Sequence, residues 1–174
     1  MKKLLLIALL IMGCEKETPN MELSQHLKPL QQYIGKTFKG EFTDSTPENP
    51  TYDVQHWERA LNGNAIKITH SVNNGEYGGE SMIMWDTKLK SLISWYFTTA
   101  GFYTQATLII EDDKLISHEK VTGNENGITE VKSTMQLLSN DRLHTKSEYL
   151  QIGEWIDGHE IYYKEAPDAN ALFK

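Results

Sequence analysis

From Thr37 onward, apolar and polar residues alternate in short runs. That period of two is the mark of half-buried strands. It predicts ten of them, over residues 37–44, 51–61, 65–72, 76–86, 91–98, 102–111, 114–122, 128–138, 142–150 and 154–164. The runs are rich in Thr, Ile, Val, Tyr, Phe and Trp. Turn residues such as "NGN", "NNG", "TAG", "NENG" and "SND" separate them. No proline falls between Pro50 and Pro167, so nothing in that run is forced to a sheet edge. Short connections predict an antiparallel meander, and closing it removes the exposed edges. Ahead of the strands, "KPLQQYIG" predicts one helix, with Pro29 at its first position and Gly35 just past its end. The expected fold class is all-β: an antiparallel up-and-down β-barrel of about ten strands with one short N-terminal helix.

The turns suggest registers. Asn62-Gly63 suits a two-residue hairpin loop, and so does Asn74-Gly75. The first sets Arg59 opposite Ile66, Trp57 opposite Ile68 and Gln55 opposite His70. The second sets His70 opposite Gly79, Ile68 opposite Ser81 and Ile66 opposite Ile83. One face then carries Trp57, Arg59, Ile66, Ile68, His70, Ser81, Ile83 and Trp85. It is the more apolar face, so it is expected inside, and a one-residue slip would reverse it. A buried arginine needs a partner, which for Arg59 means an internal carboxylate, water or a ligand. After Asp86 the register is open: "TKLK" can be counted two ways, pointing either Trp95 and Phe97 or Ser94 and Tyr96 inward.

The N-terminus changes the setting. Lys2 and Lys3 precede an apolar run, Leu4 to Met12, that is too short to span a bilayer. It ends in Ile11-Met12-Gly13-Cys14, which resembles the lipobox of bacterial lipoproteins. The expected organisation is a signal peptide over 1–13, a lipidated tether over 14–24 beginning at Cys14, and one domain over 25–174. The expected place is the cell envelope, lipid-anchored, with Glu15 after the cysteine favouring the outer membrane on its periplasmic or surface-exposed side. Cys14 is the only cysteine, so no disulfide framework exists. The chain carries 17 basic and 24 acidic residues, and loss of Lys2 and Lys3 takes the formal charge from −7 to −9. That balance argues against nucleic acid and leaves the lipid anchor as the only membrane contact.

"IGKTFKGEF", Trp57, Asn62-Gly63, "GEYGGE", "MIMWD", "YFTTAGFYT" and "GNENGITEV" together resemble a family of small bacterial barrels in the calycin (lipocalin-like) superfamily, known as a domain of unknown function. The likeness runs from Leu30 to about Tyr163 and implies a barrel like those of lipocalins and fatty-acid-binding proteins. A more distant likeness is to the nitrobindins, ten-stranded barrels that bind haem and act on peroxynitrite. Gly35-x-x-Phe38-x-Gly40 only approximates their early motif, with Phe38 where a tryptophan is expected. His159 in "IDGHEIYY" falls where their haem-ligating histidine would be, without matching neighbours.

Candidate chemistry is sparse. "GEYGGE" has no following Gly-Lys-Ser/Thr and opens no helix, so it is not a phosphate loop; Gly78 and Gly79 read as a strand bend. His118-Glu119 lacks a second histidine at ligand spacing, and no metal site is expected. His70 faces Gly79 and either contacts a ligand or is bonded to a neighbouring acid. The expected function is non-catalytic binding of a small hydrophobic or amphipathic molecule inside the barrel. Its site would be Trp57, Arg59, Ile66, Ile68, His70, Gly79, Ile83 and Trp85, with Arg59 and His70 holding a polar head such as a carboxylate. No cofactor is expected in that reading. One alternative is a haem-binding nitrobindin-like enzyme (a peroxynitrite isomerase) with His70 or His159 on the iron. Another is an envelope scaffold with a packed interior and an exposed apolar patch for a protein partner.

Overall fold

The computed structural model describes residues 22–124, 126–140 and 142–174. The expected signal peptide, Cys14 and most of the tether lie outside the described residues. Ten strands follow one another: β1 (Thr37–Phe42), β2 (Tyr52–Ala60), β3 (Ala65–Val72), β4 (Tyr77–Asp86), β5 (Ser91–Thr98), β6 (Tyr103–Glu111), β7 (Lys114–Thr122), β8 (Ile128–Leu137), β9 (Leu143–Gln151) and β10 (Glu154–Glu165). Each pairs antiparallel with its sequence neighbour, and β1 pairs with β10 to close the barrel. Gly40 sits in that seam because a Cβ there would come within 2.6 Å of Ile161 and 2.9 Å of Tyr163.

The expected registers hold. Arg59 faces Ile66 and Trp57 faces Ile68, while His70 lies between Gln55 and Gly79. The loops are longer than expected. Ala60 pairs with Ala65 and Val72 with Tyr77, so four residues turn each hairpin instead of two. Both loops place three successive residues in the left-handed region: Leu61, Asn62 and Gly63, then Asn73, Asn74 and Gly75. Asparagine and glycine tolerate that region best. Adding one residue to each arm lengthens a loop without moving the register.

The count left open at "TKLK" is also decided. Asp86 Oδ1 accepts the backbone N–H groups of Lys88 and Leu89, both at 2.8 Å, and fixes a four-residue turn between Asp86 and Ser91. Ser94 then faces Ile83, and Tyr96 faces Ser81, both on the inner side. Trp95 and Phe97 point outward and meet Tyr103, with ring centroids 5.9–6.3 Å apart.

The predicted helix forms as a six-residue 3-10 helix, Lys28–Tyr33, not an α-helix. No side chain caps it, and its place is held by packing. Leu27, Leu30 and Tyr33 are buried in the core, together with Leu23 upstream. Tyr33 meets Trp57 at 4.9 Å between ring centroids, and His26 stacks on Trp85 at 3.8 Å. Ser24 N–H donates to the Gly63 carbonyl in the β2–β3 loop. The segment thus plugs the end of the barrel that carries this loop. The C-terminal tail crosses the outside, from Ala166 bonded to the Thr37 carbonyl to Leu172 bonded to Ser71 Oγ.

Leu27 is fully buried, whereas Leu89 in the β4–β5 turn is 60 % exposed. Leu27→Ala is expected to cost about 2–5 kcal/mol of unfolding free energy. Leu89→Ala should stay within about 0.5 kcal/mol of the parent. Urea denaturation of both variants checks the plug.

Candidate functional site

Side-chain size divides the interior. At the plugged end the inner wall is Trp57, Phe38, Ile66, Leu92, Leu108, Leu115 and Leu143, all buried in one apolar cluster. Toward the other end the inward positions become small hydroxyls: Ser81, Ser94, Thr104, Ser117, Ser133 and Ser147. Ser117 pairs with Ser133 and Ser133 with Ser147, making a row across β7, β8 and β9. The Ser117 and Ser133 hydroxyls lie 2.6 Å apart. Because these side chains are short, they leave a cavity of about 520 Å³. That lies within the roughly 300–1,000 Å³ usual for small-molecule sites. Tyr77, Phe102, Tyr149 and His159 ring its mouth with Asn124 and Asn126. A smaller pouch of about 130 Å³ continues inward to Trp57, Ile68, Ile83 and Met135. Ser81, Ser94, Ser133 and Glu119 line both spaces.

His70 sits in a chain of hydrogen bonds along the cavity wall. Asp53 Oδ1 lies 2.8 Å from His70 Nδ1, and the Tyr163 hydroxyl donates to Asp53 Oδ2 at 2.9 Å. His70 Nε2 lies 2.6 Å from the Tyr96 hydroxyl, which lies 2.9 Å from that of Tyr77. Both ring nitrogens of His70 are therefore engaged. Of the two expectations for this residue, the bond to a neighbouring acid is the one the geometry meets. Desolvation by burial raises the pKa of Tyr77, Tyr96, Tyr149 and Tyr163, so all four remain neutral phenols.

Gly79 leaves no open patch beside His70. A Cβ there would come within 2.5 Å of the Tyr96 ring and 2.2 Å of the Phe97 carbonyl oxygen. The glycine lets Tyr96 lie flat against the strand and reach His70.

A bulge positions His159. The register of β10 against β9 shifts between Asp157 and Glu160, so Gly158 and His159 both stand against Ser147. Ser147 Oγ accepts the His159 N–H at 2.9 Å. The bulge turns the His159 ring toward the mouth, edge-on to Phe42 at 4.9 Å and Tyr149 at 5.6 Å. The residue keeps exposed surface, yet its ring is partly desolvated by these neighbours. That desolvation pushes its pKa below 6.5 and favours the neutral imidazole, against a weaker opposing pull from Asp44 and Asp53.

The residues singled out from sequence fall into three groups. Trp57, Ile68, Ile83, His70 and His159 line the cavity or its pouch. Ile66 is fully buried in the apolar core, and Trp85 is covered by His26. Arg59 lies at the plugged end, where its Nε donates to the Glu22 carbonyl at 2.9 Å. It does not share a site with His70, and the expected Arg59–His70 head clamp is not formed. A backbone carbonyl supplies the partner that Arg59 needed. Its own strand carries it toward the β2–β3 loop, on the far side of Trp57 from His70.

Sequence reasoning left Tyr96 open as one of two counts and missed Tyr77, Tyr149 and Glu119. Glu119 points inward from β7, where its oxygens accept from Thr104 Oγ1 at 2.7 Å and Ser117 Oγ at 2.9 Å. The signal was present: in "KLISHEKVT" the alternation that buries Leu115 also turns Ser117, Glu119 and Val121 inward. Among the described residues, no three His, Cys, Asp or Glu side chains converge to hold a metal ion.

Gly79→Ala would force backbone apart, and Gly79→Ala is therefore expected to destabilise the barrel by about 1–3 kcal/mol, read from a thermal or urea melt. The same change at solvent-facing Gly101, which has open space around it but φ of +84°, tests strain alone and should cost about 1 kcal/mol.

No family model and no curated protein sequence matches the chain. The closed ten-stranded antiparallel barrel fits the lipocalin-like architecture that the sequence motifs resemble.

Proposed function

We propose that this protein is a lipid-anchored envelope barrel that binds a small amphipathic molecule non-covalently in its interior. The observation that carries the reading is the division of the barrel into a plugged half and an open half with a cavity of about 520 Å³. A scaffold with a packed interior would have large side chains where Ser81, Ser94, Ser117, Ser133 and Ser147 stand. Lipidation of Cys14 and residence in the envelope rest on the lipobox-like N-terminus. Binding without covalent chemistry is favoured by how the interior groups are engaged. The phenols are held neutral, the Ser117 hydroxyl is bonded to Glu119, and that of Ser147 lies against the His159 backbone.

The neutral dye N-phenyl-1-naphthylamine tests the cavity. The unlipidated Cys14→Ser chain should enhance its fluorescence saturably. Ser133→Trp and Ser94→Phe each fill the cavity and should weaken binding about tenfold or more without altering the far-UV spectrum. Unsaturable binding, or binding indifferent to both changes, would sink the proposal.

A second reading, haem binding, is favoured by one observation: His159 presents a neutral imidazole at the mouth. His70 fits that role poorly, since both its nitrogens are bonded. Bound haem would supply redox-active iron, and His159 would hold it. On hemin titration this reading expects a Soret band that survives His70→Ala and disappears in His159→Ala. Absence of the band, or its persistence in His159→Ala, refutes it.

A further inference from the structure

The charge inside the barrel is one-sided. Among the described residues, no lysine or arginine lines the cavity or its pouch. Among the described residues, two carboxylates do stand inside. Asp53 is matched by His70 and Tyr163. Glu119 is matched only by the hydroxyls of Ser117 and Thr104, and among the described residues it has no cationic partner. It lies at the waist, where the mouth and the inner pouch meet. Its charge is felt by Tyr77, Tyr96 and Tyr149, which places all three phenols within its field. A carboxylate in partly desolvated surroundings gains most from a positive partner.

The walls suit the same partner. Tyr77 and Phe102 lie nearly parallel at 6.5 Å, and Tyr96 and Tyr149 present further aromatic surface. Aromatic faces attract ammonium groups, and more strongly where water is excluded. Asp44 sits beside the mouth and adds to the negative field there. A fatty acid or other anion would bring its carboxylate toward these acids and, among the described lining residues, find no lysine or arginine to receive it.

We infer that the ligand is a small organic cation, an amine or quaternary ammonium, whose charged nitrogen lies at Glu119 and whose apolar body fills the aromatic mouth. This inference rests on the cavity-binding reading above and names its ligand class. Glu119 supplies the charge, the tyrosine and phenylalanine rings supply the cage, and the pouch below admits a short alkyl group.

Displacement of N-phenyl-1-naphthylamine from the Cys14→Ser chain by three matched probes tests it: phenethylammonium, 2-phenylethanol and phenylacetate. Phenethylammonium should compete at about one tenth of the concentration the alcohol needs, and phenylacetate should be the weakest. Glu119→Gln should raise the ammonium requirement about tenfold relative to that of the alcohol. The order of the three probes needs no variant, and decides alone if Glu119→Gln fails to fold. Any other order, or a folded Glu119→Gln chain that keeps the ammonium preference, overturns the inference while dye binding still upholds the cavity. Absence of saturable dye binding overturns both.

Discussion

Closure of the sheet is the constraint on which everything else depends. Once β1 pairs with β10, every strand has two neighbours and no edge is left to aggregate. The circumference is then set by ten strands, more than a tightly filled barrel of eight needs. The interior must be filled with large side chains, plugged, or left open. This chain does each in turn along the barrel axis. Gly40 makes the closing seam possible by leaving room for Ile161 and Tyr163.

The plug converts a tube into a cup. Leu23, Leu27, Leu30 and Tyr33 bury apolar surface against Trp57 and Phe38, and apolar burial is the main favourable term available to a chain without disulfides. With one end sealed by this packing, the other can carry serines at inward positions where the core would otherwise demand leucines. Stability and cavity are therefore separated in space. The Asp53–His70–Tyr96–Tyr77 chain runs along the cavity wall across β2 to β5 and fixes the phenols that face the cavity.

Much of this fold was legible before the structure. Alternation located all ten strands to within two residues at either end. Asn-Gly pairs set two registers correctly, even though the loops are four residues long, because lengthening both arms of a hairpin together preserves the pairing. The β4–β5 turn was not legible. Its length depends on Asp86 capping two backbone amides, and a count of residues does not reveal a side-chain hydrogen bond. The bulge at Gly158–His159 escaped for a related reason: whether one extra residue is absorbed depends on the partner strand.

The sequence by itself determined the fold class, the inward face of β2 to β4 and the presence of His70 on that face. Those follow from local periodicity, which each strand carries alone. The tertiary structure decided which inward residues meet. Arg59 and His70 share a face, yet the buried Trp57 lies between them, so they serve opposite ends. Glu119, Tyr77, Tyr96 and Tyr149 come from four strands and converge only when the sheet curls shut. Convergence is a property of curvature and closure, and neither is written in the alternation of any single strand.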